Sequence, residues 1–376
     1  MRRETTRTWA EISLGNLEHN YRALRACAPD SKFLATVKAN AYGHGAIPVA
    51  RRLVELGADY LAVACLDEAA ALRAAGITAP VLVLGDTPPQ LAEEAVALGV
   101  TQTVFTPELA QALSAAAGTA GTRAKIHLKA DTGMSRLGVL DHDPQRAAAE
   151  IAALCAPPHL EPEGIFTHFA DADGDEAYTM LQFTRFLDVL DELREKYGRT
   201  FAIRHCAASA AVLNYPCTHM DMVRPGIALY GHYPAPSCEG LDGPGLRPVM
   251  ALYSRVAAVR DLPGGTPVSY GRTACLGGDG GRLAVLPIGY ADGFHRALSN
   301  ESGVWLDGEC RPIIGRVCMD MCMAGLSPSA RVRPGDVAEV FGGHLPIERH
   351  AQAAGTISYE LLCAVAPRVP RVYLEA

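Results

Sequence analysis

Lys38 directly follows the apolar run Phe33-Leu34-Ala35-Thr36-Val37 and precedes Gly43 and Gly45. The run reads as a short buried strand, so the lysine falls at a strand-to-helix corner, where barrel enzymes carry their chemistry. The two glycines are expected to turn the backbone tightly into the next helix. A lysine amine in a partly desolvated corner can shed its proton and form a Schiff base. Position alone does not separate this from a solvated surface lysine, because most lysines are exposed. Its companions decide. Lys129, Asp131 and Arg136 follow one later strand-like run, His168 the next, His205 and Ser209 the next, and Arg224 the last. A lone histidine after a strand is ordinarily structural. Several such residues converging on one face read as a site.

Arg224-Pro225-Gly226-Ile227 closes this series. As a bare turn it carries no chemistry. In a barrel, the loops after the seventh and eighth strands commonly bind phosphate through exposed backbone N–H groups, and Ser209 adds a hydroxyl. A lysine nucleophile and a phosphate cradle in one mouth are the pair that pyridoxal 5′-phosphate requires.

The elements that must position these residues are short and regular. Strand candidates are Phe33–Val37, Tyr60–Ala64, Val81–Leu84, Thr101–Phe105, Lys125–Lys129, Gly164–Thr167, Ala202–His205 and Met220–Val223. Each is apolar and rich in β-branched residues. Stretches with helical spacing lie between them, including Asp67–Ala75, Pro88–Leu98, Pro107–Ala117 and Thr179–Tyr197. Eight alternations over this length favour a (β/α)8 TIM barrel over a doubly wound open sheet. The Pro/Gly-rich segment 233–248 then breaks the pattern and reads as a domain boundary. Beyond it, Met250–Val259, Leu283–Pro287, Val304–Leu306, Ile313–Met323, Asp336–Val340 and Arg371–Leu374 read as strands of a mainly antiparallel β domain, with two short helices near 347–364. The expected domains are a barrel over 11–235 and a β-rich domain over 236–376, with residues 1–10 packing on the latter.

At 376 residues the chain buries a large core, and its net charge of −7 and pI near 6.0 argue against a nucleic-acid binder. No signal peptide and no apolar run long enough for a bilayer are evident, so no membrane association is expected. The 11 cysteines form no disulfide framework, and Cys318 and Cys322 lack a second ligand pair for zinc. A reduced, cytoplasmic protein without a metal is expected.

The chain resembles the alanine racemases, pyridoxal-phosphate enzymes of fold type III, over nearly its whole length. The matching segments are VKANAYGHG (Val37 to Gly45), KADTGMSRLG (Lys129 to Gly138), THF (Thr167 to Phe169), RPGIALYG (Arg224 to Gly231), SYGRT (Ser269 to Thr273), GYADG (Gly289 to Gly293), GRVCMD (Gly315 to Asp320) and ISYE (Ile357 to Glu360). The resemblance implies a homodimer that racemises alanine by two bases, Lys38 and Tyr270 of the partner subunit, one for each face of the α-carbon. It implies that Arg224 contacts the pyridine nitrogen and, with His168, tunes the tyrosine. Tyr42, Ser209, Gly226, Ile227 and Tyr359 correspond to the phosphate-binding set, and Arg136 and the Met319 backbone to the carboxylate grip. Lys129 corresponds to a lysine that is carbamylated in many members. Tyr290, Arg296 and Arg316 match positions near the substrate entrance. Ala208 and Met321 depart from the family pattern, which usually has asparagine and glutamine there. Retention of Tyr359 leans towards alanine; a serine or broad-specificity racemase is the alternative. A second domain carrying Tyr270 argues against a non-catalytic, single-barrel cofactor binder. A missing glycine run and cysteine motif argue against a decarboxylase of this fold.

Overall fold

The computed structural model describes residues 5–140, 143–239 and 243–375. The first four residues of the expected leader-free start and the middle of the expected boundary segment lie outside them. Contacts divide the chain into two units. One comprises Glu18–Ala41 and Ala46–Arg247; the other comprises the chain up to Leu17, the insert Tyr42–Gly45, and everything from Pro248 onward.

The first unit is built on eight parallel strands. They are β1 (Lys32–Thr36), β2 (Tyr60–Val63), β3 (Val81–Val83), β4 (Thr101–Val104), β5 (Ala124–Asp131), β6 (Leu160–Phe166), β7 (Ile203–His205) and β8 (Met222–Val223). Their order is β8-β1-β2-β3-β4-β5-β6-β7. The ring is nearly closed by a parallel bridge between Ala208 and Arg224 and by the Asp221 N–H, which donates to the Arg204 carbonyl at 3.1 Å. This is the barrel rather than the open sheet. Leu34, Tyr60, Ala62, Leu82, Ile203 and Met222 form one buried cluster drawn from five of its strands.

The helices start where side chains satisfy their first N–H groups. Thr106 caps Pro107–Thr119 by accepting from Leu109, and Asp175 caps Glu176–Tyr197 by accepting from Tyr178. The expected helix Pro88–Leu98 is a 3₁₀ turn, Pro89–Leu91, followed by Ala92–Ala97. Consecutive prolines remove the donors that a longer first turn would use.

The second unit holds a six-stranded sheet in which Thr8–Ser13 pairs antiparallel with Met250–Arg255 and parallel with Arg371–Leu374. The domain is therefore mixed at that place rather than purely antiparallel. The run Met250–Val259 is two strands, Met250–Arg255 and Ala258–Leu262, in different sheets. Of Ile313–Met323, only the end joins a strand, Cys322–Leu326. Ile314 N–H donating to Met323 O and Cys318 N–H donating to Met321 O pinch the stretch between into a loop. Ile347–Ala354 and Ser358–Ala364 are the two helices. All 11 cysteines are free thiols. Among the described residues no helix is long and apolar enough to cross a membrane.

Candidate active site

Lys38 stands at the end of β1, half-buried, and opens an unusual turn. Ala39, Asn40, Ala41 and Tyr42 all take left-handed conformations, with φ of 52°, 53°, 55° and 51°. Each costs an L-residue about 1–2 kcal/mol. The turn therefore precedes the glycines, and its strain is held by neighbours. Glu68 accepts the Ala39 N–H at 2.6 Å and the Ala64 N–H at 2.7 Å, bracing the turn against the end of β2. Asn40 Oδ1 accepts the Ala46 N–H at 2.8 Å. Strain of this kind persists where surrounding structure over-determines it, commonly at functional sites.

Beyond β5, Asp131 organises the loop that carries Arg136. Its Oδ1 accepts the N–H groups of Gly133, Met134 and Ser135 at 2.9–3.0 Å, and its Oδ2 accepts that of Arg136 at 3.1 Å. Lys129, one pleat repeat before Asp131, is buried, and its Nζ lies 5.5 Å from the centre of the Phe166 ring. Burial, with Arg136 and Arg224 adding, pushes its amine down to about 8. Among the described residues no carboxylate pairs with it within 4.0 Å.

Arg224, at the end of β8, is buried and stands over the same Phe166 ring, 5.3 Å from its centre. Its Nη1 donates to His205 Nδ1 at 2.9 Å; its Nη2 donates to the carbonyls of Thr167 and Cys206 and faces His168 Nδ1 at 3.2 Å. Among the described residues its Nε has no hydrogen-bond partner. Burial lowers the guanidinium to about 10, which leaves it charged at neutral pH. His168 is held well below its ordinary value, first by burial and then by Arg224, Arg136, Lys129 and Lys38. The same four cations thus bear on one imidazole, which places the ends of β1, β5, β6 and β8 around one point. Ser209 completes this unit's set: its Oγ accepts the N–H groups of Gly226 at 2.9 Å and Ala228 at 3.3 Å, fixing the turn into Ile227–Tyr230. Ala208 caps Ser209–Asn214 without a side-chain bond, so the departure here costs the helix its cap.

The remaining candidates belong to the second unit. Tyr42 is joined to it through its insert, whose Gly43 and His44 carbonyls accept from Arg371 Nε and the Tyr373 hydroxyl at 3.0 and 3.1 Å. Its ring meets that of Tyr359 with centroids 6.2 Å apart. Burial, with Tyr359 and Cys363 adding, pushes the Tyr42 hydroxyl up, so it stays protonated. Tyr270 is largely exposed, in a 3₁₀ turn whose next residue, Gly271, lies against the Arg316 guanidinium. Tyr290 and Met319 are joined through the backbone, as Tyr290 N–H donates to Cys318 O and Ala291 N–H to Met319 O. Arg296 begins a separate 3₁₀ turn, Arg296–Leu298. Glu68, His127 and Glu163 were not singled out from the sequence. His127 had a signal: it shares a strand face with Lys129 and Asp131 at alternate positions.

Two family models cover the chain: the alanine racemase N-terminal domain over residues 12–234 and the alanine racemase C-terminal domain over 249–373. An alanine racemase of Desulfovibrio desulfuricans is 48% identical over 371 residues, covering 98% of each chain. Among solved structures, the alanine racemase of Clostridium difficile superimposes with a TM-score of 0.92 at 39% identity, covering 99% of this chain and 96% of the other. That from Streptomyces lavendulae gives 0.93 at 39%, covering 99% and 98%. With both models matched in order and nearly complete overlap with these relatives, the chain belongs to the alanine racemase family.

Proposed function

We propose that the protein interconverts L- and D-alanine with pyridoxal 5′-phosphate, as a homodimer that shares its active sites. The observation that carries this reading is the convergence of Lys38, Lys129, Arg136 and Arg224 on His168. Such a surplus of positive charge suits an anionic cofactor and a carboxylate substrate. The residues present fit this cofactor in particular: an amine at a strand end, a donor-only guanidinium whose Nε is left over by its neighbours, and a serine-braced turn for phosphate. Bound there, pyridoxal phosphate supplies the electron withdrawal that acidifies the Cα–H of an amino acid.

Lys38 holds the cofactor, and its Nζ removes or returns the α-proton on one face. The phenol oxygen of Tyr270 of the partner subunit serves the opposite face, since inversion needs a base on each side. His168, neutral and accepting from Arg224 at Nδ1, carries its proton on Nε2 and offers that donor to the tyrosine oxygen. Arg224 meets the ring nitrogen as a donor that does not release its proton, which keeps the ring a modest electron sink and favours prompt return of the proton to carbon. Arg136 and the Met319 backbone grip the substrate carboxylate. Tyr42, Ser209, Gly226, Ile227 and Tyr359 hold the phosphate end, and the bulk of Tyr359 favours alanine over serine. Lys129, which pairs with no carboxylate among the described residues, is carbamylated and thereby orients Arg136. Tyr290, Arg296 and Arg316 line the substrate entrance. The 11 free thiols suit a reducing, cytoplasmic setting.

The test is direct. Purified protein loaded with pyridoxal phosphate should bring L-alanine to zero optical rotation, and Lys38→Ala should abolish this. Loaded protein that leaves the rotation unchanged would sink the reading.

A further inference from the structure

Behind Arg224, a chain of polar side chains crosses the barrel interior. Arg224 Nη1 lies 2.9 Å from His205 Nδ1, His205 Nε2 lies 2.8 Å from His127 Nδ1, and His127 Nε2 lies 3.3 Å from Glu163 Oε2. The Tyr60 hydroxyl also donates to Glu163 Oε2, and Lys125 Nζ donates to Oε1 at 2.8 Å. Both imidazoles are completely buried.

The two ends of the chain fix its polarity. A carboxylate only accepts and a guanidinium only donates. His127 must therefore carry hydrogen on Nε2 to meet Glu163, which leaves Nδ1 as a lone pair. His205 must then carry hydrogen on Nε2 to meet that lone pair, which leaves its own Nδ1 as the acceptor that Arg224 requires. The reverse polarity would set two donors against each other at Arg224. Burial holds both histidines below their ordinary values, in agreement with two neutral rings. For Glu163, burial pushes upward, but the bonds from His127, Lys125 and Tyr60 outweigh it and hold the carboxyl at about 2.

The backbone is shaped around this chain. The register of β5 and β6 slips between Ile126 and His127, so that Pro162 and Gly164 are paired and Glu163 is the extra residue of a β-bulge. The next residue cannot carry a side chain: a Cβ on Gly164 would lie 2.6–2.8 Å from three atoms of the His127 ring. His205 in turn stacks on Phe166, with centroids 4.8 Å apart and planes at 13°.

We infer that Glu163 and His127 are positioning residues for Arg224. Through two neutral imidazoles, the carboxylate fixes the lone pair of His205 that aims the guanidinium, and so sets how Arg224 meets the cofactor's ring nitrogen. This rests on the proposed role of Arg224, but the tautomers themselves do not depend on it.

The experiment therefore has a cofactor-free arm. Nitrogen-15 spectra of the cofactor-free protein, assigned with single His→Gln variants, should show His127 and His205 each protonated at Nε2 alone. A proton on Nδ1 of His205 in the wild-type protein would overturn the inference without any variant. In the near-isosteric Glu163→Gln, whose amide can also donate, the reverse polarity becomes open to the chain; it places a proton on His205 Nδ1 and turns the Arg224 guanidinium away, so His205 should become a mixture of tautomers. The loaded variant should then shift its visible cofactor band and lose about 10-fold in kcat, with KM within about 2-fold. A single unchanged tautomer with an unchanged band and kcat would also overturn it. Correct tautomers in a wild-type protein that takes up no pyridoxal phosphate would instead count against the proposed function alone.

Discussion

His168 Nδ1 lies 3.2 Å from Nη2 of Arg224. Because the guanidinium only donates, the imidazole nitrogen facing it is a lone pair and the ring's proton sits on Nε2. Burial and the Arg224 charge are the two largest influences holding His168 neutral. Replacing Arg224 by leucine should therefore move the His168 pKa upward, followed by proton NMR, while burial keeps it below the free value. Racemisation should fall about 100-fold or more, the scale for losing a charged donor at a reacting centre. An unmoved His168 titration would show that the contact does not govern its protonation.

Lys129 offers a pH-dependent prediction. Its amine is lowered from 10.5 to about 8, so it is mostly protonated at pH 7 and mostly neutral at pH 9. A carbamate forms only from the neutral amine. At fixed dissolved CO2, its occupancy should rise as pH increases through about 8 and fall on acidification, read from the carbon-13 signal of labelled CO2. Lys129→Ala should abolish the signal and raise KM for alanine about 10-fold through looser orientation of Arg136.

The turn after Lys38 depends on Glu68. Glu68→Ala removes the acceptor for the Ala39 and Ala64 N–H groups at once. The left-handed residues 39–42 then lose a restraint on their strain, and kcat should fall about 10-fold, with a loss of about 1–2 kcal/mol in stability by urea titration. Equal kcat in the variant would separate the turn from catalysis.

Ala208 should be improvable. It occupies an extended N-cap position, with φ −94° and ψ −172° and no side-chain cap bond. Ala208→Asn should stabilise the helix Ser209–Asn214 by about 1 kcal/mol, measured by thermal unfolding.

These expectations differ in how visible their parts were beforehand. The barrel strands were legible because each is a short β-branched run; Lys38, His168, Ser209 and Arg224 drew notice because they stand just past such runs, Lys129 because it ends one, and Arg136 because it lies in the loop that follows. The left-handed turn was not. Ala39 to Tyr42 contains no glycine, and the conformation is imposed by Glu68, nearly thirty residues further along. The Glu163 bulge was hidden for a related reason: a bulge is a property of two paired strands, and neither one's apolar pattern announces the slip. In the second unit, Ile313–Met323 looked continuous because its composition is strand-like, whereas its backbone bonds close a loop.

The central claim is that each site is completed by a tyrosine from the other subunit, and subunit mixing tests it most directly. Lys38→Ala and Tyr270→Ala are each expected to be nearly inactive. Unfolded together and refolded as mixed dimers, they should recover about a quarter of wild-type activity, since half of randomly paired dimers are mixed and each of those holds one intact site of two. No recovery, with mixed dimers demonstrated by mass spectrometry, would contradict the shared site.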